Sequence, residues 1–507
     1  MPVPEFTEVA DVVIVGSGPT GATYARLVAD ARPAARILMV EAGPVVAHPP
    51  GQHMTWVTDS QERERARVAS QGPNQYPYEL SATSGTAHHV APEERDRALT
   101  TRAGLFPVGV PGGEGLPAAQ ASCNVGGMGS HWFGACPRPG DAERIDFIDQ
   151  DTFDDALAEA ERLLQVSAGQ FADSGFAAHV RRILSEVLDE GRAPQRRVQA
   201  MPMAVARTPE GVRRFGPDVV LGDLLTSRLG GFELRPDTLC EGVVMADGRA
   251  VGVRLRDRTT GAVTAVRAAH VVVAGDPLRT PQLLFASGVR PSALGRHLNE
   301  HSQVSLLAEV DGLPPEHEAA DVGGSGVTWI PYEGEAYPFH GMLVQIDPDT
   351  LPHLAGHRRE RRPLISVHFF TAQEPRPDNR LVFSETEQDW LGMPAMTIRH
   401  RLGERDREVL AYAETEVFRL AKILGRPAEG EIPRVLPSGS SLHYQGTVRT
   451  GPADDGTSVC DPTCRVWGTD NLYVAGNGVI PTQTACNPTL TAVALAVLGA
   501  RALVRRW

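Results

Sequence analysis

The stretch Asp11-Val-Val-Ile-Val-Gly16-Ser-Gly18-Pro-Thr-Gly21 decides the fold class. An apolar run without alternation suits a strand buried on both faces of a parallel sheet, and the Ala-rich residues 22–31 that follow suit a helix. Each glycine has a role at such a junction. Gly16 permits the tight turn, Gly18 lets a pyrophosphate approach the backbone, and Gly21 lets helix and strand pack closely. The helix N-terminus then offers free N–H groups and the positive end of its dipole to phosphate oxygens. A second strand, Arg36-Ile-Leu-Met-Val40, ends at Glu41, twenty residues past Gly21. A carboxylate there accepts hydrogen bonds from both ribose hydroxyls of an adenosine. Glycine triplets alone are common in ordinary turns. Strand, glycines, helix, strand and acid in this order predict a dinucleotide site. Glu41 in place of an arginine argues against a 2′-phosphate, and these residues leave FAD and NAD both open.

Outward from this motif, residues 44–120 are rich in Pro, Gly, Gln and charge, with a helical Arg/Glu patch at 60–69. They read as an excursion over the surface or the active site. Helical periodicity marks 151–165 and 176–190, and residues 232–273 read as strands. Short alternating strands at 364–370, 379–384 and 395–400 precede an Arg/Glu-laced helix over 404–424. After residue 441 a strand at 471–475 and a terminal helix return to the character of the nucleotide domain. The expected class is α/β: a Rossmann-like nucleotide domain, discontinuous in sequence, with an α+β substrate domain on an antiparallel sheet. The expected bounds are 1–45, 120–140, 215–300 and 441–507 for the first domain. The second takes 141–214 and 301–440, and 46–119 form the excursion near the active site.

The chain has 507 residues, 42% hydrophobic and 22% charged, which excludes wholesale disorder. Acidic residues outnumber basic ones, 62 to 49, for a net −13. That balance argues against nucleic acid or anionic lipid as a partner. Lys422 is the only lysine, as a GC-rich genome would produce. Six cysteines are too scattered for a disulfide scaffold, and Cys460 and Cys464 lack a second Cys/His pair, so no metal site is expected. The N-terminus runs into a strand without a basic segment, and the apolar run 490–500 stops at Arg501, short of a membrane span. A cytoplasmic protein is expected, with no membrane contact.

Three further motifs carry a family resemblance. Ala274-Gly-Asp-Pro-Leu-Arg-Thr-Pro-Gln-Leu-Leu-Phe-Ala-Ser-Gly-Val289 resembles the second signature of the glucose-methanol-choline (GMC) oxidoreductases, followed as in that family by Leu294-Gly-Arg-His-Leu-Asn-Glu-His301. His443-Tyr-Gln-Gly-Thr-Val-Arg-Thr-Gly451 and Asn471-Leu-Tyr-Val-Ala-Gly-Asn-Gly-Val-Ile-Pro481 are similar to its C-terminal blocks. Gly126-Gly-Met-Gly-Ser-His-Trp132 is similar to the flavin motif of pyranose oxidases. Residues 122–139 and 70–73 resemble bacterial pyranose oxidases and glycoside 3-oxidases. The resemblance covers nearly the whole chain and implies FAD as the nucleotide. It implies cofactor contacts at Gly16, Gly18, Gly21, Glu41, Gly127, Met128, Ser130, His131, Trp132, Gly476, Asn477 and Thr489.

Oxidising an alcohol with a flavin requires removal of the hydroxyl proton and hydride transfer to flavin N5. A neutral imidazole, with a pKa near ~6.5, suits the first task. The resemblance implies His443 as that base and Asn487 as the group that orients the hydroxyl. Alone, His443 is one of sixteen histidines and reads as a satisfied core or surface residue. Asn487 is placed to cap the terminal helix, with Pro488 at its first position. The resemblance sets this N-terminus against the flavin pyrimidine, where its dipole stabilises negative charge. In fungal pyranose oxidases the His of a Thr-His-Trp triplet bonds to the flavin 8α-methyl. Ser130-His131-Trp132 leaves such a link through His131 open, though non-covalent FAD is favoured. The next residue, a hydrogen-bonding Thr in the fungal pattern, is Phe133, so O2 and a quinone both stay open as acceptors. Trp329, Tyr332, Tyr337 and Phe339, within 322–352, are expected on the sugar side.

These residues together predict FAD-dependent oxidation of a secondary hydroxyl, at C3 of a glycoside or C2 of a free aldopyranose, by a monomer. An aminosugar or another natural-product alcohol is the alternative substrate. A flavoprotein retired to a binding module is disfavoured by the retention of both His443 and Asn487, and a nicotinamide dehydrogenase would be colourless.

Overall fold

Strand β1 (Glu8–Val15) carries the apolar run, and its Val12, Val13 and Ile14 are fully buried. The computed structural model describes residues 4–71, 115–209, 211–226, 231–314, 325–346 and 362–507. β1 pairs in parallel with β2 (Ile37–Val40), and β2 with β3 (Phe232–Arg235). Strands β4 (Thr238–Ala246), β5 (Arg249–Asp257) and β6 (Val263–Val273) form an antiparallel run. β6 also pairs in parallel with the other edge of β1. Its first residues hold β5, and its last three hold Leu472–Val474 in parallel, so the chain's C-terminal part joins a sheet begun at the N-terminus. The order is β3-β2-β1-β6-β5-β4. Helix α1 (Pro19–Ala31) packs on the terminal helix Thr489–Arg505, which packs on Gln150–Leu163. Residues 490–500 are buried throughout, so that apolar run is protein core. Among the described residues no helix is long and apolar enough to cross a membrane.

A second sheet is antiparallel and runs, through its central strands, in the order β7 (Ser302–Val310), β10 (Leu364–Thr371), β9 (Phe339–Ile346) and β8 (Val327–Ile330). Side chains alternate across it and give it two faces. Val304, Leu306, Phe339, Leu343, Ile365, Val367 and Phe369 pack with the helix Glu404–Leu424 in one apolar core. From the opposite face Gln303, Met342, Val344, Ser366, His368 and Phe370 look into a cavity. Because both faces lie inside the protein, β7 and β10 are buried at every position. This is why β7, β8 and β9 escape a search for polar–apolar alternation. Arg380–Gln388 and Pro394–Arg399, expected within this sheet, instead form a separate two-stranded ribbon.

Candidate active site

One cavity of about 830 Å³ extends from Gly16 and Glu41 to His443 and Asn487. It lies toward the upper end of the ~300–1,000 Å³ usual for ligand pockets. At the near end the glycines divide their roles. Gly16 has φ +105°, and a Cβ on it would collide with the Ala274 carbonyl, as one on Gly21 would with the Gly16 carbonyl. A Cβ on Gly18 would find its nearest protein atom 3.9 Å away, which leaves room for a ligand atom beside the backbone. Helix α1 begins at Gly18 with no side-chain cap and no acid in its first turn, so its N–H groups remain available to an anion.

Glu41 accepts from the Ser17 hydroxyl at 2.8 Å, the Gly43 N–H at 3.1 Å and the Ser17 N–H at 3.2 Å. Burial pushes its carboxyl upward, and of its four acceptor positions the one left, on Oε1, suits a ribose hydroxyl. The Ser17 hydroxyl also accepts the Gly126 N–H at 2.9 Å, tying this turn to the next loop. These features fit a dinucleotide of FAD's kind.

Gly127, Met128, His131, Trp132, Gly476, Asn477 and Thr489 line the same cavity. Gly21 and Ser130 do not reach its wall: Gly21 is packed under the turn, and the Ser130 hydroxyl donates to the Val125 carbonyl at 3.3 Å. His131 Nε2 lies 3.1 Å from Ser70 Oγ, whose own proton goes to the Arg67 carbonyl at 3.0 Å. The imidazole is therefore the donor, and burial pushes its pKa down to about 4. The Arg214 guanidinium lies 4.7 Å from the Phe133 ring centre.

At the far end Asn487 Nδ2 is 3.5 Å from His443 Nε2. His443 Nδ1 is 2.9 Å from His301 Nδ1, and His301 Nε2 lies 3.0 Å from the Gln445 amide. The loop presenting His443 is held from below by Glu300, which accepts the Gly439 N–H at 2.6 Å and the Ser441 hydroxyl at 2.9 Å. Ser441 Oγ in turn accepts the His443 backbone N–H at 3.0 Å. Leu442 sits at φ 58°, a left-handed conformation that a branched side chain adopts only when its neighbours impose it. Burial pushes Glu300 up to about 8. It pushes His443 down to about 3, with His368 adding to the effect. The imidazole is thus neutral at physiological pH with a large margin, where the sequence alone suggested an ordinary value.

Two further expectations are corrected. The terminal helix starts at Thr489 with Pro488 as its N-cap, and no side chain caps it. Asn487 gives its amide to His443 instead, so the first N–H groups of the helix stay free. The aromatic cluster also stops short of the cavity wall. Tyr337 and Phe339 join the core under the covering helix, and Trp329 donates to His340 at 2.8 Å. Phe133, Phe370 and Tyr444 line the cavity in their place. Residues 72–114 of the excursion, and 322–324 and 347–352 of that cluster, lie outside the described residues. Glu300, His301, His340 and Gln445 went unassigned in the sequence reading. The first two close the block that ends at His301 and Gln445 sits within the His443 block, but nothing in either motif says what its side chains touch.

Models of the GMC oxidoreductase family match residues 141–303 and 375–496, and a lycopene cyclase protein model matches 11–71. The chain is 44% identical to a C-glycoside 3-oxidase of Arthrobacter globiformis, over 98% of this chain and 95% of the relative. It is 44% identical to a C-glycoside 3-oxidase of Microbacterium trichothecenolyticum, over 97% and 96%. A pyranose 2-oxidase of Tricholoma matsutake is 31% identical over 99% and 94%. Among solved structures, an Aspergillus oryzae formate oxidase variant superposes with a TM-score of 0.66 over 99% of both chains at 14% identity, which speaks for the fold alone. Near full-length identity and two family models together make the chain a member of the GMC oxidoreductase family, and so an FAD-dependent oxidoreductase.

Proposed function

We propose that this enzyme oxidises the C3 hydroxyl of a glycoside to a ketone and passes the electrons to O2 or a quinone. The observation that carries the reading is the single cavity joining the phosphate-binding turn to the His443–Asn487 pair. The two C-glycoside 3-oxidases at 44% identity, against 31% for the pyranose 2-oxidase, favour a glycoside over a free aldopyranose attacked at C2. FAD bound along Gly18, Glu41, Gly127 and Thr489 supplies the two-electron acceptor.

The chain's own groups do the rest. His443, neutral because it is buried, takes the hydroxyl proton on Nε2. A base this weak carries no proton at rest and accepts one as the C–H bond breaks. Asn487 holds the same hydroxyl by hydrogen bonding. The uncapped N-terminus at Thr489 favours negative charge nearby. Phe370, its ring centre 5.3 Å from that of His443, covers one side of the imidazole. His131 keeps its Nε2 proton on Ser70, which favours non-covalent FAD: acid precipitation should leave the yellow colour in the supernatant.

Anaerobic mixing of the holoenzyme with a phenolic C-glycoside, glucose and an aminoglycoside tests the substrate class. The C-glycoside should bleach the flavin fastest and give a 3-ketone by NMR. Faster bleaching by glucose or the aminoglycoside would overturn the reading. His443→Ala should slow this reduction by roughly two orders of magnitude or more, and wild-type speed in that variant would remove His443 from the mechanism.

A further inference from the structure

The His443–Asn487 pair is one link in a longer buried chain. Trp329 and His340 stand on β8 and β9, on the sheet face that looks toward the cavity, and Trp329 Nε1 donates to His340 Nδ1 at 2.8 Å. An indole nitrogen only donates, so His340 Nδ1 can only accept there. His340 has no exposure, and burial holds it neutral, with a pKa of about 3. Its one ring proton therefore sits on Nε2.

That N–H has no partner in hydrogen-bonding geometry among the described residues, and neither does the buried Asn487 Oδ1. The two side chains meet around one ring: the Phe370 ring centre lies 5.7 Å from that of His340 and 5.3 Å from that of His443, which Asn487 touches at 3.5 Å, and hydrogen bonding by Asn487 favours a charged His340. Neither atom has another partner, so pairing this donor with this acceptor satisfies both and sets the Asn487 amide. With Oδ1 turned to His340, Nδ2 faces His443 Nε2, the arrangement observed at 3.5 Å.

An amide NH2 only donates, so His443 Nε2 must be the bare nitrogen and its proton must sit on Nδ1. That proton goes to His301 Nδ1 at 2.9 Å, which places the His301 proton on Nε2. The structure has Gln445 Nε2 at 3.0 Å from His301 Nε2 and Gln445 Oε1 accepting the Thr484 hydroxyl at 3.0 Å, so this polarity requires the other, isosteric orientation of the Gln445 amide, with its oxygen to His301 and its NH2 to Thr484 Oγ1.

We propose that Trp329 and His340 are positioning residues that fix the amide orientation of Asn487 and, through it, the tautomer of His443 with a bare Nε2 facing the substrate. This rests on the reading of His443 as the base. A reversed amide would put Oδ1 against Nε2, require a proton there and disarm the base. The tautomer of an imidazole is set by the hydrogen bond its other nitrogen makes, so one donor-only indole can set the sense of the whole chain. In a Ser-His-Asp triad the wrong tautomer lowers turnover about 10⁴-fold.

The test uses the holoenzyme, a phenolic C-glycoside under anaerobic conditions, and ring-15N NMR of labelled histidines. Trp329→Phe keeps a ring in its apolar cluster and removes the donor. His340→Leu removes both ring nitrogens, whereas His340→Gln keeps an acceptor for Trp329 and a donor for Asn487. Wild type should show an unprotonated Nε2 at His443. Trp329→Phe and His340→Leu should mix the tautomers and lower the limiting flavin-reduction rate roughly tenfold, the weight of one neutral hydrogen bond, with glycoside affinity little changed. His340→Gln should recover most of that loss.

The proposal falls if His443 Nε2 is protonated in the resting wild type. It also falls if Trp329→Phe reduces at wild-type speed, or if His340→Gln is as slow as His340→Leu, since packing alone would then explain the effect. A fast His443→Ala enzyme would sink the underlying reading. A slow His443→Ala beside a normal Trp329→Phe sinks this inference alone. Should Trp329→Phe not fold, the wild-type NMR signal and the two His340 variants still decide.

Discussion

The two ends of the cavity are built from different materials. Around Gly16, Gly18 and Glu41 the chain offers mostly backbone: uncapped N–H groups, a glycine-rich turn, and one carboxylate that holds the turn while lining the cavity. Around His443 it offers side chains that touch one another in series, His301, His443 and Asn487, with Glu300 beneath them. A backbone cradle is specified by a short contiguous motif and fails when a Cβ is added. A side-chain network is drawn from positions 44 and 142 residues from His443 and fails when a polarity is reversed.

The largest effect should come from adding a Cβ where backbone meets backbone. Gly21→Val should abolish holoenzyme, read as flavin absorbance per mole of purified chain, because its Cβ and the Gly16 carbonyl need the same space. Gly18→Ala sharpens the contrast, since its Cβ meets no protein atom within 3.9 Å. The chain should fold with the melting temperature of the wild-type apoprotein, yet bind FAD at least ~tenfold more weakly, about 1.4 kcal/mol. Unfolding of Gly18→Ala would show that the two glycines do the same job.

At the other end, Glu300→Leu should cost about 1–3 kcal/mol, because the buried Gly439 N–H and Ser441 hydroxyl lose their acceptor. Glu300→Gln should cost far less at neutral pH, since a carboxyl pushed up to about 8 is already mostly uncharged there. The pH dependence follows from linkage. A carboxyl raised from 4.5 to about 8 contributes stability that is present at low pH and lost as pH rises through that window. Wild type should therefore lose ground to Glu300→Gln in chemical denaturation between those values, and parallel curves would refute a buried neutral Glu300.

The smallest effects concern mild acid. His443 and His340 are held near 3, and His368 and His400 near 4, against an ordinary 6.5. Below 6.5 the unfolded chain binds protons that the folded chain refuses, so stability should decline as pH falls toward 4. Flavin reduction should stay flat from pH 8 down to about 5. A kinetic pKa near 6.5 would mean that the half-buried His443 is not desolvated by its surroundings.

Much of the architecture could be read in advance because its signals are local. The run ending at Val15, the glycines and Glu41 lie within one βαβ length, and the helix Glu404–Leu424 was legible from its charge pattern to the residue. What escaped reading was non-local. β7 has no alternation because helix core lies on one side of it and cavity on the other. Asn487 looked like a helix cap because an Asn before Pro488 usually is one, until His443 arrived from another part of the chain to claim its amide. Trp329 and Tyr337 looked alike as aromatics near a sugar site, yet strand register gave one a histidine to bind and the other a core to fill.

By itself the sequence marked the first βαβ turn as a nucleotide site and put forward His443 and Asn487 for its chemistry, because those signals are carried by spacing and by motif. Only the tertiary structure decided that the surroundings of His443 disfavour its charged form, that Glu300 props the loop presenting it, and that a donor-only indole stands against His340. Desolvation and hydrogen-bond polarity are properties of neighbours, and a linear chain does not name the neighbours it acquires on folding.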